Sequence, residues 1–190
     1  MVIGERFAWA HLAKAGGDAT FAMLATVPGL VRFADPPDSN DKHLPFFARE
    51  PEIAGKLLVM NIRRLPSWAL SAAHHASRRG VHPDYVPVPL PSAEEMSRSD
   101  DADGLLRWMT DRGRLPVDRW LRAESLEQDV LALLDELGEL TPAIEDRVRA
   151  VGRVNVGSYD DAPDSYFTPR QIERLYERNP IWAEIEQQVY

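Results

Sequence analysis

Two short apolar runs in the first third of the chain predict strands. Residues 6–12 form one run, which leads through Lys14 and two glycines to the start of a helix. The second run is Lys56-Leu57-Leu58-Val59-Met60-Asn61-Ile62, and its continuous apolar character is typical of a buried parallel strand. A helix is predicted after it at about 66–79, ended by Gly80. Strands that alternate with helices predict an α/β fold with a central parallel sheet flanked by helices.

Start signals and helical spacing predict further helices in the second half of the chain. Ser125 with Gln128 predicts a capping box, and Thr141, Thr168 and Asn179 each precede a proline at the first helical position. The helix after Ser125 has apolar residues at helical spacing, which indicates a side that faces the core: Leu126, Val130, Leu133, Leu134 and Leu137.

The order Lys14-Ala15-Gly16-Gly17 at the end of the first strand predicts an anion-binding loop. Adjacent glycines let backbone N–H groups approach a phosphate, the following helix presents unpaired amides, and the lysine adds a full positive charge. In the nucleoside-triphosphate loop G-x-x-x-x-G-K-[ST] the lysine follows the glycines and a hydroxyl binds Mg²⁺. Here Lys14 comes first with no Ser or Thr beside it, which disfavours a Mg²⁺-dependent kinase or ATPase. An ordinary strand-to-helix turn is the alternative interpretation.

A second phosphate-type element follows the second strand. Arg63 stands at the strand end, Pro66 lies nearby, and Ser71 comes eight residues after the arginine on the predicted helix. A guanidinium offers paired N–H donors and a hydroxyl adds one more, which suits a phosphate monoester. Taken alone, an arginine at a strand end and a serine within a helix need no ligand. Two phosphate-type elements in succession favour the binding interpretation.

Both elements resemble those of sulfotransferases that use 3′-phosphoadenosine 5′-phosphosulfate (PAPS). The lysine-first loop behind His11-Leu12 is similar to the 5′-phosphosulfate loop H-x-P-K-T-G-G-T-[ST] of the family's carbohydrate branch, and the spacing of Arg63 and Ser71 is similar to its 3′-phosphate element. Segments at 120–129, 153–158 and 166–190 resemble other parts of the family, so the likeness covers most of the chain. It implies a P-loop-like three-layer fold in a soluble member of the family.

The resemblance also implies which residues bind the donor. Amides of the loop would hold the 5′-phosphate, Arg63 and Ser71 the 3′-phosphate, and Lys14 would neutralise charge on the bridging and sulfuryl oxygens. Asn155 and Ser158 would line the nucleotide site, although a turn that needs polar residues explains them nearly as well. The implied donor-binding residues are Lys14, Ala15, Gly16, Gly17, Asp18, Ala19, Thr20, Arg63, Ser71, Asn155 and Ser158.

His43, within Asp41-Lys42-His43-Leu44-Pro45, resembles the family's general base. Sulfuryl transfer to an alcohol requires removal of the hydroxyl proton as the oxygen attacks, and an imidazole titrates near the pH at which this is needed. His74 and His75 are the substitutes, and no metal is implied. Lys14 and His43 are thus the implied catalytic residues. The acceptor would be a hydroxyl or amine of a small molecule or a carbohydrate, and the product nucleotide 3′,5′-bisphosphoadenosine.

The loop departs from the family pattern at several positions. Ala13, Ala15 and Ala19 replace the usual Pro, Thr and Ser/Thr, and Asp18 replaces a hydroxyl residue. A carboxylate beside a phosphosulfate repels it unless it turns away, for instance to cap the following helix, and Thr20 would restore one hydroxyl. Two alternatives therefore stay open: a nucleotide-binding relative with weakened or lost catalysis, and a P-loop kinase.

A long excursion is predicted at residues 82–104. His82-Pro83, Pro87, Pro89 and Pro91 interrupt regular structure, and a polar stretch ending at Gly104 follows. Long loops inside compact domains are usually functional or mobile. We interpret this one either as a lid over the acceptor site, with Tyr85 and Trp108 as contacts, or as a solvated insertion.

Length and composition predict one cytoplasmic domain. The 190 residues are enough for a sheet with flanking helices, and the chain has no cysteine for disulfides or thiolate metal sites. The sequence has no apolar run of membrane-spanning length, so no membrane association is expected. A net charge of −8 disfavours a nucleic-acid partner, and the oligomeric state is left open.

Overall fold

A computed structural model describes residues 1–36, 38–79, 89–154 and 162–190. The strands are β1 (Val2–Ile3), β2 (Phe7–Ala10), β3 (Phe33–Ala34), β4 (Leu57–Ile62) and β5 (Arg119–Arg122). The helices are α1 (Gly17–Ala25), α2 (Glu50–Ile53), α3 (Leu65–Arg79), α4 (Ala93–Ser97), α5 (Asp101–Met109), α6 (Leu126–Glu136), α7 (Pro142–Ala150), α8 (Pro169–Arg178) and α9 (Pro180–Val189). Short 3₁₀ turns lie at Asn40–His43, Phe46–Arg49, Ala123–Ser125 and Pro163–Ser165. The α/β class is confirmed.

The sheet is mixed, which corrects the expectation of a parallel one. Among the described residues five strands form a sheet in the order β3-β1-β2-β4-β5. Strands β2, β4 and β5 run parallel, whereas β1 pairs antiparallel with both β2 and β3. Only Gly4-Glu5-Arg6 connect β1 to β2, and a parallel crossover needs a dozen or more residues. The two-residue strands β1 and β3 are too short to leave a periodic signal in the sequence.

Helices α1, α6 and α7 pack on one face of this sheet. The strands contribute Phe7, Trp9, Val59 and Leu121 to the shared core, and the helices contribute buried apolar side chains such as those of Met23 in α1 and the leucines of α6. On the opposite face the side chains are buried as well: Ala8, Ala10, Leu58, Met60 and Ile62. Burial on both faces explains why β4 has no apolar/polar alternation.

Asp129 of α6 holds the end of β5. Its carboxylate accepts hydrogen bonds from the backbone N–H of Arg122 at 2.7 Å and from the guanidinium of the same residue at 2.7 and 2.9 Å. A bidentate pair that also satisfies a strand-end amide fixes the direction in which β5 leads into α6.

The described part of the chain contains no helix long and apolar enough to cross a membrane.

The chain divides into two compact units, each made of two segments. The first contains Met1–Ile62 and Arg107–Val156, and therefore the whole sheet. The second contains Arg63–Leu106 and Gly157–Tyr190. In the second unit Leu70, Ala73, Met96 and Phe167 form a small apolar cluster.

Several predicted helix starts are confirmed. Thr141 caps α7 through the Ile144 amide, and Thr168 forms a full capping box with Gln171 at the start of α8. Ser125 precedes α6 but does not form the predicted side-chain cap, because it is the last residue of a 3₁₀ turn that leads into the helix. Asn179 precedes Pro180 as predicted, but its side chain bonds elsewhere.

The predicted excursion at 82–104 contains helical structure. Helix α4 starts at a capping box between Ser92 and Glu95, and α5 follows from Asp101. Tyr85 lies outside the described residues, whereas Trp108 lies on α5 and is 45 % exposed. The acceptor-lid interpretation remains a prediction.

Candidate functional site

The loop between β2 and α1 is built around two left-handed residues. Strand β2 ends at Ala10, and α1 begins at Gly17. Lys14 has a φ of 65° and Gly16, the N-cap residue, a φ of 90°. A left-handed backbone is unstrained at glycine but costs energy at lysine. The backbone strain of the loop therefore lies at Lys14, its only cationic residue.

Gly17 makes room for the imidazole of His11. A Cβ atom built on Gly17 would overlap the His11 ring, so no other residue fits there without a shift. His11 is buried, and its ring stacks on that of Trp9 with a centroid distance of 5.3 Å. The second glycine of the loop thus has a packing role in addition to any contact with a phosphate.

A buried chain of hydrogen bonds connects strands β2 and β4 to the loop. The indole N–H of Trp9 donates to Asn61 Oδ1 at 2.6 Å, and Asn61 Nδ2 donates to Thr20 Oγ1 at 2.8 Å. The Thr20 hydroxyl donates in turn to the carbonyl oxygen of Gly16 at 3.2 Å. Thr20 is fully buried, so its hydroxyl serves the loop and not a solvent-facing surface.

His43 lies against His11 in the same unit. The ring centroids are 4.4 Å apart at an angle of 57°, and His43 Nδ1 lies 3.1 Å from the carbonyl oxygen of His11. Since a carbonyl oxygen can only accept, Nδ1 carries the proton and Nε2 holds the free lone pair. The neutral ring is therefore in the tautomer that accepts a proton at Nε2.

Burial keeps both rings uncharged near neutral pH. Desolvation lowers the pKa of His43 below 6.5, against a smaller raising contribution from the hydrogen bond to His11. Desolvation and then the charge of His43 lower the pKa of His11 to about 3. Two imidazoles in contact cannot both be protonated without mutual repulsion.

Asp18 pairs with Lys42 across the edge of the loop. Its carboxylate accepts from Lys42 Nζ at 3.1 Å, with 38 % of the Asp18 side chain and 24 % of the Lys42 side chain exposed. Asp18 is the second residue of α1, where a negative charge favours the helix dipole. The capping position itself belongs to Gly16, and the Asp18 carboxylate turns toward Lys42.

A small cleft adjoins the Asp18–Lys42 pair. Trp9, His11, Phe21 and Asp35 form part of its lining, and it encloses about 20 Å³. This is room for roughly one water molecule, so a nucleotide does not fit into it. A ligand of the loop would have to lie over its open side.

Arg63 and Ser71 belong to the second unit. Arg63 is half-buried, and its carbonyl accepts from the Trp182 indole N–H at 3.0 Å. Ser71 lies on α3 and is 6 % exposed. The buried carboxylate of Glu186 caps the start of α3 through the Leu65 amide at 2.9 Å. Helix α9 thus fixes the backbone from which the Arg63 side chain projects.

The remaining candidates fall in different places. Ala15 and Ala19 are buried within the loop and the first turn of α1. His74 packs edge-on against Tyr166, and His75 is exposed on α3. Asn155 and Ser158 lie outside the described residues. The structure therefore brings Lys14, the loop to Thr20 and His43 together in one unit.

Asn61 is the residue of this site that sequence reasoning missed. The residue stands within an apolar run, and that run predicts only a strand. The available signal was a single amide side chain in the middle of a buried strand, since buried polar groups need hydrogen-bond partners.

Comparison with protein-family models, curated proteins and solved structures gives no match. Among the described residues no group of three or more metal-ligating side chains is placed to hold a metal ion.

Proposed function

We propose that this protein is a PAPS-dependent sulfotransferase with a P-loop-like three-layer architecture. The observation that carries the proposal is the contact of His43 Nδ1 with the His11 carbonyl oxygen, which leaves Nε2 as the proton-accepting nitrogen beside a lysine-bearing loop that opens a helix. A proton acceptor next to an anion-binding loop is what in-line transfer to a hydroxyl requires.

The proposal assigns each phosphate of the donor to one of the two phosphate-type elements. Backbone amides at the start of α1 bind the 5′-phosphate, since the first helical amides have no partner within the helix. Arg63 and Ser71 bind the 3′-phosphate through a guanidinium and a hydroxyl. Half-burial of Arg63 and near-complete burial of Ser71 suit a charge-assisted contact that is shielded from water.

In the proposed reaction the acceptor oxygen attacks sulfur as its proton passes to Nε2 of His43. The bond between sulfur and the bridging oxygen breaks, and 3′,5′-bisphosphoadenosine leaves with the negative charge. Lys14 stabilises that charge as it develops on the bridging oxygen. The acceptor is a hydroxyl or amine of a small molecule or carbohydrate, and the protein acts in the cytoplasm as a single domain.

A nucleotide-binding relative without transfer activity is the second candidate. The Asp18 carboxylate in the first turn of α1 favours it, because a negative charge there opposes a bound phosphosulfate. A Mg²⁺-dependent kinase is disfavoured, because the Thr20 hydroxyl is buried and bonded to Gly16.

Calorimetry with three nucleotides tests the proposal. 3′,5′-Bisphosphoadenosine should bind more tightly than 5′-AMP by ~2–3 kcal/mol if the 3′-phosphate meets a charge-assisted pair. Arg63→Gln should remove most of this difference, whereas the control Arg170→Gln removes an exposed arginine of the same unit and should leave it intact. Equal affinities for the two nucleotides, or a preference for ATP with Mg²⁺, would overturn the assignment.

A further inference from the structure

Asn61 is a fully buried amide in the middle of an apolar strand. Its oxygen accepts from Trp9 on β2, and its nitrogen donates to Thr20 on α1. It therefore links two neighbouring strands to the helix that follows the loop. Burying an amide is costly unless it is hydrogen-bonded, and here both ends of the amide have partners.

The direction of each hydrogen bond is determined by the one before it. Because the indole N–H of Trp9 can only donate, Asn61 Oδ1 is the atom that faces it, and the NH₂ group faces Thr20. The Thr20 oxygen then accepts from Asn61 and has its own proton left for the Gly16 carbonyl. The donors and acceptors from Trp9 to Gly16 thus run in one direction.

The end of this chain sets the orientation of the Gly16–Gly17 peptide. The Gly16 carbonyl accepts from both the amide and the hydroxyl of Thr20, at 3.1 and 3.2 Å, so it points along α1. In a trans peptide the N–H points opposite to the carbonyl. The N–H of Gly17 is therefore directed away from the body of α1, out of its N-terminal end.

We propose that Asn61 is a positioning residue for the anion-binding loop, acting through Thr20 on the peptide between the two glycines. The inference rests on the proposed function, since it takes the loop to be the 5′-phosphate site. Asn61 does not touch the ligand. It removes alternative orientations of the loop peptide before the ligand arrives, which raises affinity by preorganisation.

The test compares a 5′-phosphate with a 3′-phosphate on the same nucleoside. Binding of 5′-AMP and of 3′-AMP is measured by calorimetry for the wild type and four variants. Asn61→Leu and Thr20→Val break the hydrogen-bond chain without adding charge, and Thr20→Ser keeps the hydroxyl. Val148→Ala removes buried apolar contacts on α7 and leaves all members of the hydrogen-bond chain in place, so it is the control for lost stability.

We expect Asn61→Leu and Thr20→Val to weaken 5′-AMP binding roughly tenfold, by analogy with the loss seen when supporting groups around a bound ion are removed. Binding of 3′-AMP should change less than about twofold, because its phosphate goes to the other element. Thr20→Ser and Val148→Ala should bind 5′-AMP like the wild type. Hydrogen exchange of the Gly16 and Gly17 amides should speed up in the first two variants only.

Three results overturn the inference in distinguishable ways. A wild type that binds neither nucleotide contradicts the proposed function and the positioning role with it. Normal 5′-AMP binding in Asn61→Leu contradicts the positioning role alone. Equal weakening of both nucleotides in every destabilised variant, Val148→Ala included, means that Asn61 only stabilises the fold. A variant that fails to fold is replaced by Asn61→Ser, which shortens the side chain and breaks the same bonds.

Discussion

The imidazole of His11 occupies the space that a Cβ atom on Gly17 would fill. The same ring stacks on Trp9 and tilts against His43, so three aromatic rings are packed in a row behind the loop. A glycine at this position lets the helix start lie directly on the histidine ring. The phosphate-type loop and the proposed base are therefore parts of one packed structure.

Gly17→Ala should destabilise the protein by roughly 1–3 kcal/mol, the usual cost of overpacking a buried contact. The free energy of unfolding from denaturant titration measures it. The matched control is Gly104→Ala on α5, where an added Cβ meets nothing within 4 Å. That change should be neutral or stabilise the protein by roughly 0.5–1 kcal/mol, because alanine favours a helix. Equal effects at both positions would show that His11 can move aside.

The sequence predicted the parts of the fold that carry a local pattern. Strands β2 and β4, helix α3 and the proline-marked starts of α7 and α8 lie within a few residues of their predicted bounds. Strands β1 and β3 have only two residues each, which is too short for a periodic pattern in the sequence. Their antiparallel pairing depends on contacts between chain segments that local patterns do not encode.

The candidate site was predictable only at the level of single residues. The order of Lys14 and the glycines and the neighbourhood of His43 make them candidates, and their roles stay predictions. The tautomer of His43 could not be foreseen, because it depends on the carbonyl of His11, 32 residues earlier in the chain. The pairing of Asp18 with Lys42 likewise joins residues 24 positions apart.

His43→Gln should lower sulfuryl transfer roughly 10²–10⁴-fold, since glutamine cannot take the acceptor proton. Binding of 3′,5′-bisphosphoadenosine should stay near the wild-type level. Release of this nucleotide from PAPS, with the best of a panel of hydroxyl and amine acceptors, measures turnover. In the wild type the rate should fall on the acid side with a midpoint below pH 6.5, because burial lowers the pKa of His43. Near-normal turnover in the variant would direct the search for the base to His74 or His75.

Stability should fall with acidity because of the His11–His43 pair. The folded pKa of each ring lies below its unfolded value of 6.5, so below that pH the unfolded chain binds more protons. The stabilisation is complete above pH 6.5 and is lost progressively as the pH falls toward the folded values. Each neutral histidine contributes a slope of up to about 1.4 kcal/mol per pH unit in this window.

His43→Gln isolates that contribution. Unfolding free energies of the variant and the wild type, measured between pH 5 and 7, should have different slopes, with the variant less sensitive to acid. Parallel curves would mean that the histidine pair stays hydrated enough to titrate normally in the folded protein.

Asp18 and Lys42 should affect nucleotide binding in opposite directions. Asp18→Asn removes a negative charge beside the loop and frees Lys42 to attract phosphate, so binding of 3′,5′-bisphosphoadenosine should tighten. Lys42→Gln leaves the Asp18 carboxylate without this partner, so binding should weaken. Partly exposed ion pairs contribute little, and both changes should alter stability by less than about 1 kcal/mol. If both variants bind the nucleotide more tightly, or both bind it more weakly, the charges of Asp18 and Lys42 do not determine binding by electrostatic attraction or repulsion of the phosphates.

The first amides of helix α9 donate to a carboxylate that lies far from the helix in the sequence. The amides of Ile181 and Trp182 donate to Asp103 at 3.0 and 2.9 Å, and the Asp103 amide donates to Asn179 at 3.1 Å, across 76 to 79 residues of sequence. Contacts of such separation form only after a large loop has closed, which is slow and entropically costly. In refolding, α9 should therefore become protected late. Since Trp182 and Glu186 of α9 bond to the Arg63 carbonyl and the Leu65 amide, the backbone at Arg63 should be among the last parts to mature.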